Sequence, residues 1–225
     1  MAPILQLQMN TNLFLRDPQE TELGRRIISS SIQMIDEIGF EAFTFKKLAT
    51  EISSTEASIY RYFENKHRLL VYLIAWYWMW LEYRIDYGTH NIPSAETRLE
   101  IALRLLSEEK DRDPQFPDID EAALYRIVIG ESDKTYLTKH VDDDNKEGLF
   151  RGFKSLCKKI ADIIKEINPD FKYSHALIST MLQASHQQIY YAQHLPSLTE
   201  VKISNENYHD DVFEFLKTVT KKSIV

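Results

Sequence analysis

The stretch Thr44–Lys66, TFKKLATEISSTEASIYRYFENK, constrains the fold of this chain more than any other. Phe45, Leu48, Ala49 and Ile52 recur at i, i+3, i+4 and i+7, which gives a short helix after Thr44 one apolar face. Ser53-Ser54 supply a turn. Thr55 is a second N-cap, and Ile59 and Phe63 point a second short helix inward. Polar and basic side chains are left on the outside. A pair of short helices built this way is how a helix-turn-helix meets the major groove of DNA.

The flanks extend the helical reading. Thr21 is a good N-cap. Leu23, Ile27, Ile28, Ile35 and Ile38, with Ile32 nearby, recur at helical spacing up to Gly39, which reads as a left-handed C-terminal stop. Asn65 caps a helix that runs to about Tyr87 and stops at Gly88. Residues 1–20 show no clear period and read as an irregular arm.

Beyond that helix the boundaries are weaker. Pro93-Ser94 open a segment to about Lys110, and DRDPQFPD is a loop. Asp118 or Asp120 starts the next helix, through about Gly130. The acidic turn Asp142-Asp143-Asp144 precedes a helix ending near Asn168-Pro169. Further helices run from Ser174 to His194 and from about Asn207 to Lys222. The 6 Gly and 7 Pro are few for a sheet-rich protein. The predicted class is all-α. An N-terminal three-helix DNA-binding domain with a helix-turn-helix spans 21–68, and a larger helical ligand-binding and dimerisation domain spans 69–225.

Net charge alone speaks against a nucleic-acid partner, because it is −7. Its distribution changes that. Thr44–Arg68 holds five basic residues against three acidic ones, whereas the chain from Leu69 onward sums to −6. A locally basic module thus sits on an acidic body. Cys157 is the sole cysteine, so no intrachain disulfide forms. The first basic residue is Arg16, too late for a signal peptide. The apolar run Leu69–Leu81 is shorter than the roughly 20 residues of a membrane span. A cytoplasmic protein with no membrane partner is expected.

A recognition helix needs small and polar residues at its N-terminal end, and Thr55, Glu56, Ala57 and Ser58 meet that need. Phosphate contacts must flank them to fix register. Tyr60, Arg61, Tyr62 and Lys66 fall where such contacts belong, and Thr44 and Lys66 sit at helix N-termini that attract phosphate. Tyr62 has a lesser reading as a core residue, and Lys46 and Lys47 read equally as solvated surface.

Thr44-Phe45, Lys47-Leu48-Ala49 and Ile59-Tyr60-Arg61-Tyr62-Phe63-Glu64-Asn65-Lys66 resemble the DNA-binding domain of the TetR family of transcriptional regulators over about residues 21–68. The resemblance implies a ligand-responsive repressor that binds a palindromic operator on double-stranded DNA as a homodimer. It implies that Thr44 and Lys46 meet the DNA backbone, that Thr55, Ala57 and Ser58 lie near base edges, and that Tyr60, Tyr62 and Lys66 hold phosphates. Two positions depart from the family pattern. Ser53 stands where the family mostly has Gly, so the turn asks a positive φ of a residue that resists it. Glu56 stands where a basic or small residue is common, and it suits either a cytosine amino group or weakened phosphate binding.

In the acidic body, Tyr72, Trp76, Trp80, Tyr83 and Tyr87 share one face of a helix that is apolar nearly all round. The face reads either as core packing or as the wall of a pocket for an apolar or aromatic effector, with Gln183, His186 and Gln187 as polar partners. His186 and His194 lie about 12 Å apart along their helix, too far to share a metal. His140 and Asp142–Asp144 read as a solvated turn. No metal and no cofactor are expected. Ala176, Ser179, Ala184, Ser185 and Ala192 allow close helix approach. The resemblance implies a dimer there, with Val212, Phe213, Leu216 and Val219 from the last helix. No Gly-rich phosphate loop, nucleophile elbow or metal-ligand spacing marks an enzyme. The alternative is an interaction protein that has kept the fold but lost DNA binding.

Overall fold

A computed structural model of the chain describes residues 5–204 and 207–224. Among these residues the regular structure is helical throughout, with no strand. The predicted all-α class is what the chain adopts. Contacts group it into two compact units. One comprises the chain up to Trp78 together with Lys110–Gly152, and the other Met79–Glu109 with the chain from Phe153 onward. The helix-turn-helix segment is thus one part of a larger compact unit.

The first unit opens with an extended segment and two short 3₁₀ turns, Thr11–Leu13 and Pro18–Glu20. Met9 and Leu13 are buried, and Leu5 N–H donates to the Gln115 carbonyl at 3.0 Å. α1 (Glu22–Ala42) starts at Thr21, whose hydroxyl accepts from Gly24 N–H at 3.0 Å. Its Ile27, Ile28, Ile32 and Ile35 form the buried stripe. Gly39 is not the end of the helix. It adopts φ 75° and ψ 157°, a region open only to glycine, and one more turn leads to Ala42. The break frees Phe40 N–H, which donates to Glu131 Oε1 at 3.1 Å.

α2 (Phe45–Glu51) and α3 (Glu56–Tyr60) come next, then α4 (Lys66–Thr89), which runs on past Gly88. The first unit is completed by α6 (Glu121–Glu131), α7 (Asp133–Tyr136) and α8 (Val141–Lys146). Asp120, one of the two expected starts, caps α6 by accepting from Ala123 N–H at 2.9 Å. α6 packs along α1. Arg126 binds Asp36 through two hydrogen bonds of 2.9 and 2.6 Å, and Lys134 reaches Glu41 at 2.9 Å. The acidic run Asp142–Asp144 is the first turn of α8, and Asp144 turns inward to Arg68 at 3.5 Å.

The second unit packs α5 (Ala95–Ser107), α10 (Ser174–His194) and α11 (Tyr208–Ile224) against one another, with most of α9 (Arg151–Ile167). Ser94 caps α5 by accepting from Thr97 N–H at 3.1 Å. α11 buries Val212, Phe213 and Leu216 in its own unit, so these three are not free for a second copy. The apolar stripe expected at the dimer surface is the stripe that seats the helix. Phe215 and Tyr190 are among the large residues left exposed. Among the described residues no helix is long and apolar enough to cross a membrane.

Candidate DNA interface and ligand cavity

Neither α2 nor α3 is long enough to hold itself together, since isolated helices under about 12–15 residues are marginal in water. Their termini are therefore closed by specific groups. Thr44 Oγ1 accepts from Lys47 N–H at 3.2 Å, and Thr55 Oγ1 from Ser58 N–H at 3.2 Å. Between them, Ser54 N–H donates to the Ala49 carbonyl at 2.8 Å and Ser53 N–H to the Thr50 carbonyl at 3.2 Å. That pair of bonds is a Schellman closure, with its residue of positive φ at Ser53, where φ is 49°. The turn takes the backbone form for which the resemblance would supply glycine.

The closure turns Thr44, Lys46, Lys47, Thr55, Glu56, Ala57, Tyr60 and Arg61 to solvent, with Ser58 half-buried. Ile59 and Phe63 are fully buried beneath them. The surface is partly ordered in advance. Arg61 donates to Ser58 Oγ at 3.1 Å, Thr55 and Ser58 hydroxyls lie 2.9 Å apart, and the Tyr60 ring leans edge-on against Phe45 at 5.0 Å. Lys47 Nζ donates to the Ala42 carbonyl at 2.8 Å.

Two residues expected on phosphates are employed by the fold itself. Tyr62 is only 2% exposed, and its hydroxyl lies 2.8 Å from Thr21 Oγ1. Lys66 Nζ donates to the carbonyls of Phe40, Glu41 and Phe43 at 3.0, 3.2 and 3.2 Å and sits over the Phe40 ring. Its charge closes the open C-terminus of α1, a favourable place for a cation. The Tyr-Phe-x-x-Lys pattern that marks the segment in the sequence thus packs and caps.

The first unit also holds a partly open cavity of about 310 Å³. Tyr72 and Trp76 of α4 form one wall and Ile28 of α1 another. Leu5, Pro18 and Gln19 close it from the N-terminal segment, and Phe116–Ile119 from the loop before α6. Trp76 meets Phe116 edge-to-face at 5.3 Å. Burial, with a smaller push from Asp17, raises the Tyr72 phenol far above its ordinary value, so it stays neutral. The charged groups in the lining are Arg25 and Asp118, both half-exposed and 3.6 Å apart.

Of the expected ligand face, then, only Tyr72 and Trp76 line this cavity. Trp80, buried under the Arg84 guanidinium, and half-buried Tyr83 belong to the second unit. So do half-buried Gln183, buried His186 and exposed Gln187 on α10. A face shared along a helix is not a shared site: from Tyr72 to Tyr83 the axis rises about 16 Å. Sequence reasoning missed the N-terminal segment and the Phe116–Ile119 loop. The signals were the alternation Leu5, Leu7, Met9 and a phenylalanine held between two prolines. Among the described residues no group of His, Cys, Asp or Glu side chains is arranged to hold a metal ion.

Residues 27–73 match the family described as bacterial regulatory proteins, tetR family. No curated protein matches the chain. Solved structures share the fold, and three of them are the following. The fatty acid degradation regulator FadR from Bacillus halodurans is 16% identical, with a TM-score of 0.60 over 85% of this chain and 96% of its own. A tetR family transcription regulator from Shewanella sp. PV-4 is 11% identical, with a TM-score of 0.61 over 91% and 97%. AibR, solved with isovaleryl coenzyme A and operator DNA, is 14% identical, with a TM-score of 0.58 over 85% and 97%.

Proposed function

We propose that this chain, whose residues 27–73 form the N-terminal domain of the TetR family of bacterial regulatory proteins, is a DNA-binding transcriptional regulator that answers to a small molecule. The observation that carries the reading is the α2–turn–α3 surface. It combines a Schellman turn at Ser53, two hydroxyl caps and a row of exposed polar and basic side chains over a buried Ile59. In this reading Thr55, Glu56, Ala57 and Ser58 face base edges, while Thr44, Lys46, Lys47, Tyr60 and Arg61 meet the DNA backbone. Tyr62 and Lys66 hold that surface in place from behind.

The protein acts in the cytoplasm as a homodimer and a repressor. A two-fold axis sets two recognition helices on the half-sites of a palindrome. The exposed side of α10, with Ala176, Thr180, Gln187 and Tyr190, is the face we assign to the second copy. The effector is apolar or aromatic, and neither domain performs catalysis.

Mapping the DNA bound in cells, followed by mobility-shift titrations over a salt series, tests the reading. Affinity falls with salt by a slope near −0.9 for each neutralised phosphate. Lys46→Ala and Arg61→Ala each weaken binding to all sequences alike and flatten the slope by about one unit. Glu56→Ala changes base preference instead. Should no recovered fragment bind even at low salt, the reading fails. The alternative is then a fold kept for protein contacts, for which Glu56 and the net charge of −7 speak.

A further inference from the structure

The cavity of the first unit touches more than α4. Its wall residue Tyr72 packs edge-on against Phe63, just past the recognition helix, at 5.4 Å, and against Phe14 of the N-terminal segment at 6.2 Å. The N-terminal segment touches both ends of that path. Leu5, Gln6, Pro18 and Gln19 line the cavity, while Leu15 N–H donates to the Tyr62 carbonyl at 2.8 Å. Thr21, at the end of the segment, meets the Tyr62 hydroxyl. Residues 14–21 therefore join the cavity to the C-terminal end of α3.

The segment is docked by burial of Met9 and Leu13, by long-range bonds such as Asn10 Nδ2 to the Gly148 carbonyl at 2.8 Å, and by local ones. Gln19 Nε2 donates to the Leu7 carbonyl at 3.0 Å, and Arg25 donates to the Gln19 carbonyl at 2.9 Å. At Pro18 the fit is closest: a Cβ on Gly24 would lie 2.3 Å from the Pro18 carbonyl oxygen. A molecule in the cavity that shifts Pro18 must therefore shift the segment against α1 as well.

The lining also selects the occupant. A volume of about 310 Å³ stands at the low end of the range for small-molecule sites, about 300–1,000 Å³. It suits one or two rings. Arg25 and Asp118 neutralise each other, and the remaining walls are mainly hydrocarbon and aromatic edge, so no unopposed charge awaits an ionised ligand.

We propose that this cavity binds a compact, uncharged one- or two-ring compound, and that the segment 5–21 carries its occupancy to the recognition helix. The proposal rests on the reading of the protein as a DNA-binding regulator and assigns its effector site and its coupling element. A ligand moves the equilibrium only through its differential affinity for two arrangements. Here these are the N-terminal segment docked as observed and the segment displaced from Tyr62 and Tyr72.

Naphthalene serves as the uncharged probe and decanoate as its charged counterpart, each titrated into the full chain. Binding is read by calorimetry, the segments 5–21 and 55–63 by amide hydrogen exchange, and the operator complex by mobility shift. Naphthalene is expected to bind, to change exchange in both segments, and to weaken the operator complex by about 5–150-fold. Decanoate is expected to do none of these. Ile119→Trp fills the cavity from its loop side and abolishes naphthalene binding. Phe14→Ala, which neither lines the cavity nor faces DNA, keeps naphthalene binding and unliganded operator binding but loses the link between them. If naphthalene fails to bind while operator binding is intact, the site is wrong. If it binds to wild type but leaves residues 55–63 and the operator complex unmoved, or if Phe14→Ala responds as wild type does, the coupling is wrong. Absence of operator binding in every sample instead overturns the underlying DNA-binding reading.

Discussion

The α2–turn–α3 segment and α11 each bury one apolar face, yet they are held in different ways. α11 is 17 residues long and lies in its unit on a continuous stripe of Val212, Phe213, Leu216 and Thr220. Its surface is tied by Lys217 and Lys221 to Glu100 and by Asp210 to Arg104, whose guanidinium lies 3.6 Å from the centre of the Phe213 ring. α2 and α3 have seven and five residues, and their stability is concentrated at their ends. Burial holds the long helix, while caps, a left-handed serine and a lysine on three carbonyls hold the short ones. A long helix tolerates changes off its stripe. A short one is sensitive at single polar positions that touch no core.

The largest effect that sharpens this contrast is expected at Phe213. Phe213→Ala should cost about 3–5 kcal/mol in urea unfolding, because it empties the centre of the α11 stripe. A loss under about 1 kcal/mol would show that the stripe is not what seats the helix. Gly24→Ala should cost about 3 kcal/mol, the upper end for overpacking, because the new methyl meets Pro18 backbone and not a flexible side chain. A wild-type melting curve for that variant would mean the N-terminal segment is not docked in solution.

Glu121, fully buried on α6, offers a test through pH. Burial pushes its carboxyl up to about 7 from 4.5, with smaller contributions from Asp113 and Asp120, although the Asp113 N–H donates to it. The folded protein therefore keeps this proton longer than the unfolded chain does. The carboxyl's contribution to stability is full below about pH 4.5 and is lost as pH rises to about 7. Glu121→Gln cannot ionise. It should be more stable than wild type at pH 8, on the order of 2 kcal/mol, and equal to it near pH 4. Parallel pH profiles for the two proteins would count against this.

Ser53→Gly should stabilise the protein by about 1 kcal/mol, since φ of 49° strains any residue with a Cβ. A destabilised variant would mean that Ser53 contributes more through its side chain than it costs through its backbone. The smallest effect belongs to the surface of α11. Lys217→Ala should change stability by less than about 1 kcal/mol, in keeping with exposed ion pairs. A larger loss would erase the contrast between the two regions.

Much of the helix-turn-helix segment was legible in advance because its signals are local. Thr21, Thr44, Thr55 and Asn65 are caps within three residues of the N–H groups they bind, and the Ser53-Ser54 turn is closed by carbonyls at Ala49 and Thr50. Gly39 was legible as a break but not as a kink, since the extra turn beyond it is fixed by Glu131, far along the chain. The aromatic face of α4 was legible as buried for Tyr72, Trp76 and Trp80, whereas Tyr83 is half-buried and Tyr87 is exposed. Which of its residues meet a cavity was not legible, because that depends on what packs opposite each turn.

Hydrophobic period, caps and turn chemistry determined by sequence alone that this chain is helical, that it carries a helix-turn-helix, and that Thr44, Thr55, Glu56, Ala57, Tyr60 and Arg61 face outward. These rest on interactions within a few residues, where a side chain's neighbours are known from spacing. Tertiary structure alone decided that Lys66 caps α1, that Tyr62 turns inward to Thr21, and that α6 lies along α1. It also decided that Leu5 and Phe116 line one cavity with Trp76. Each of these joins groups distant in the chain. The free energy that selects them comes from filling space and satisfying buried polar groups, and no local pattern records it.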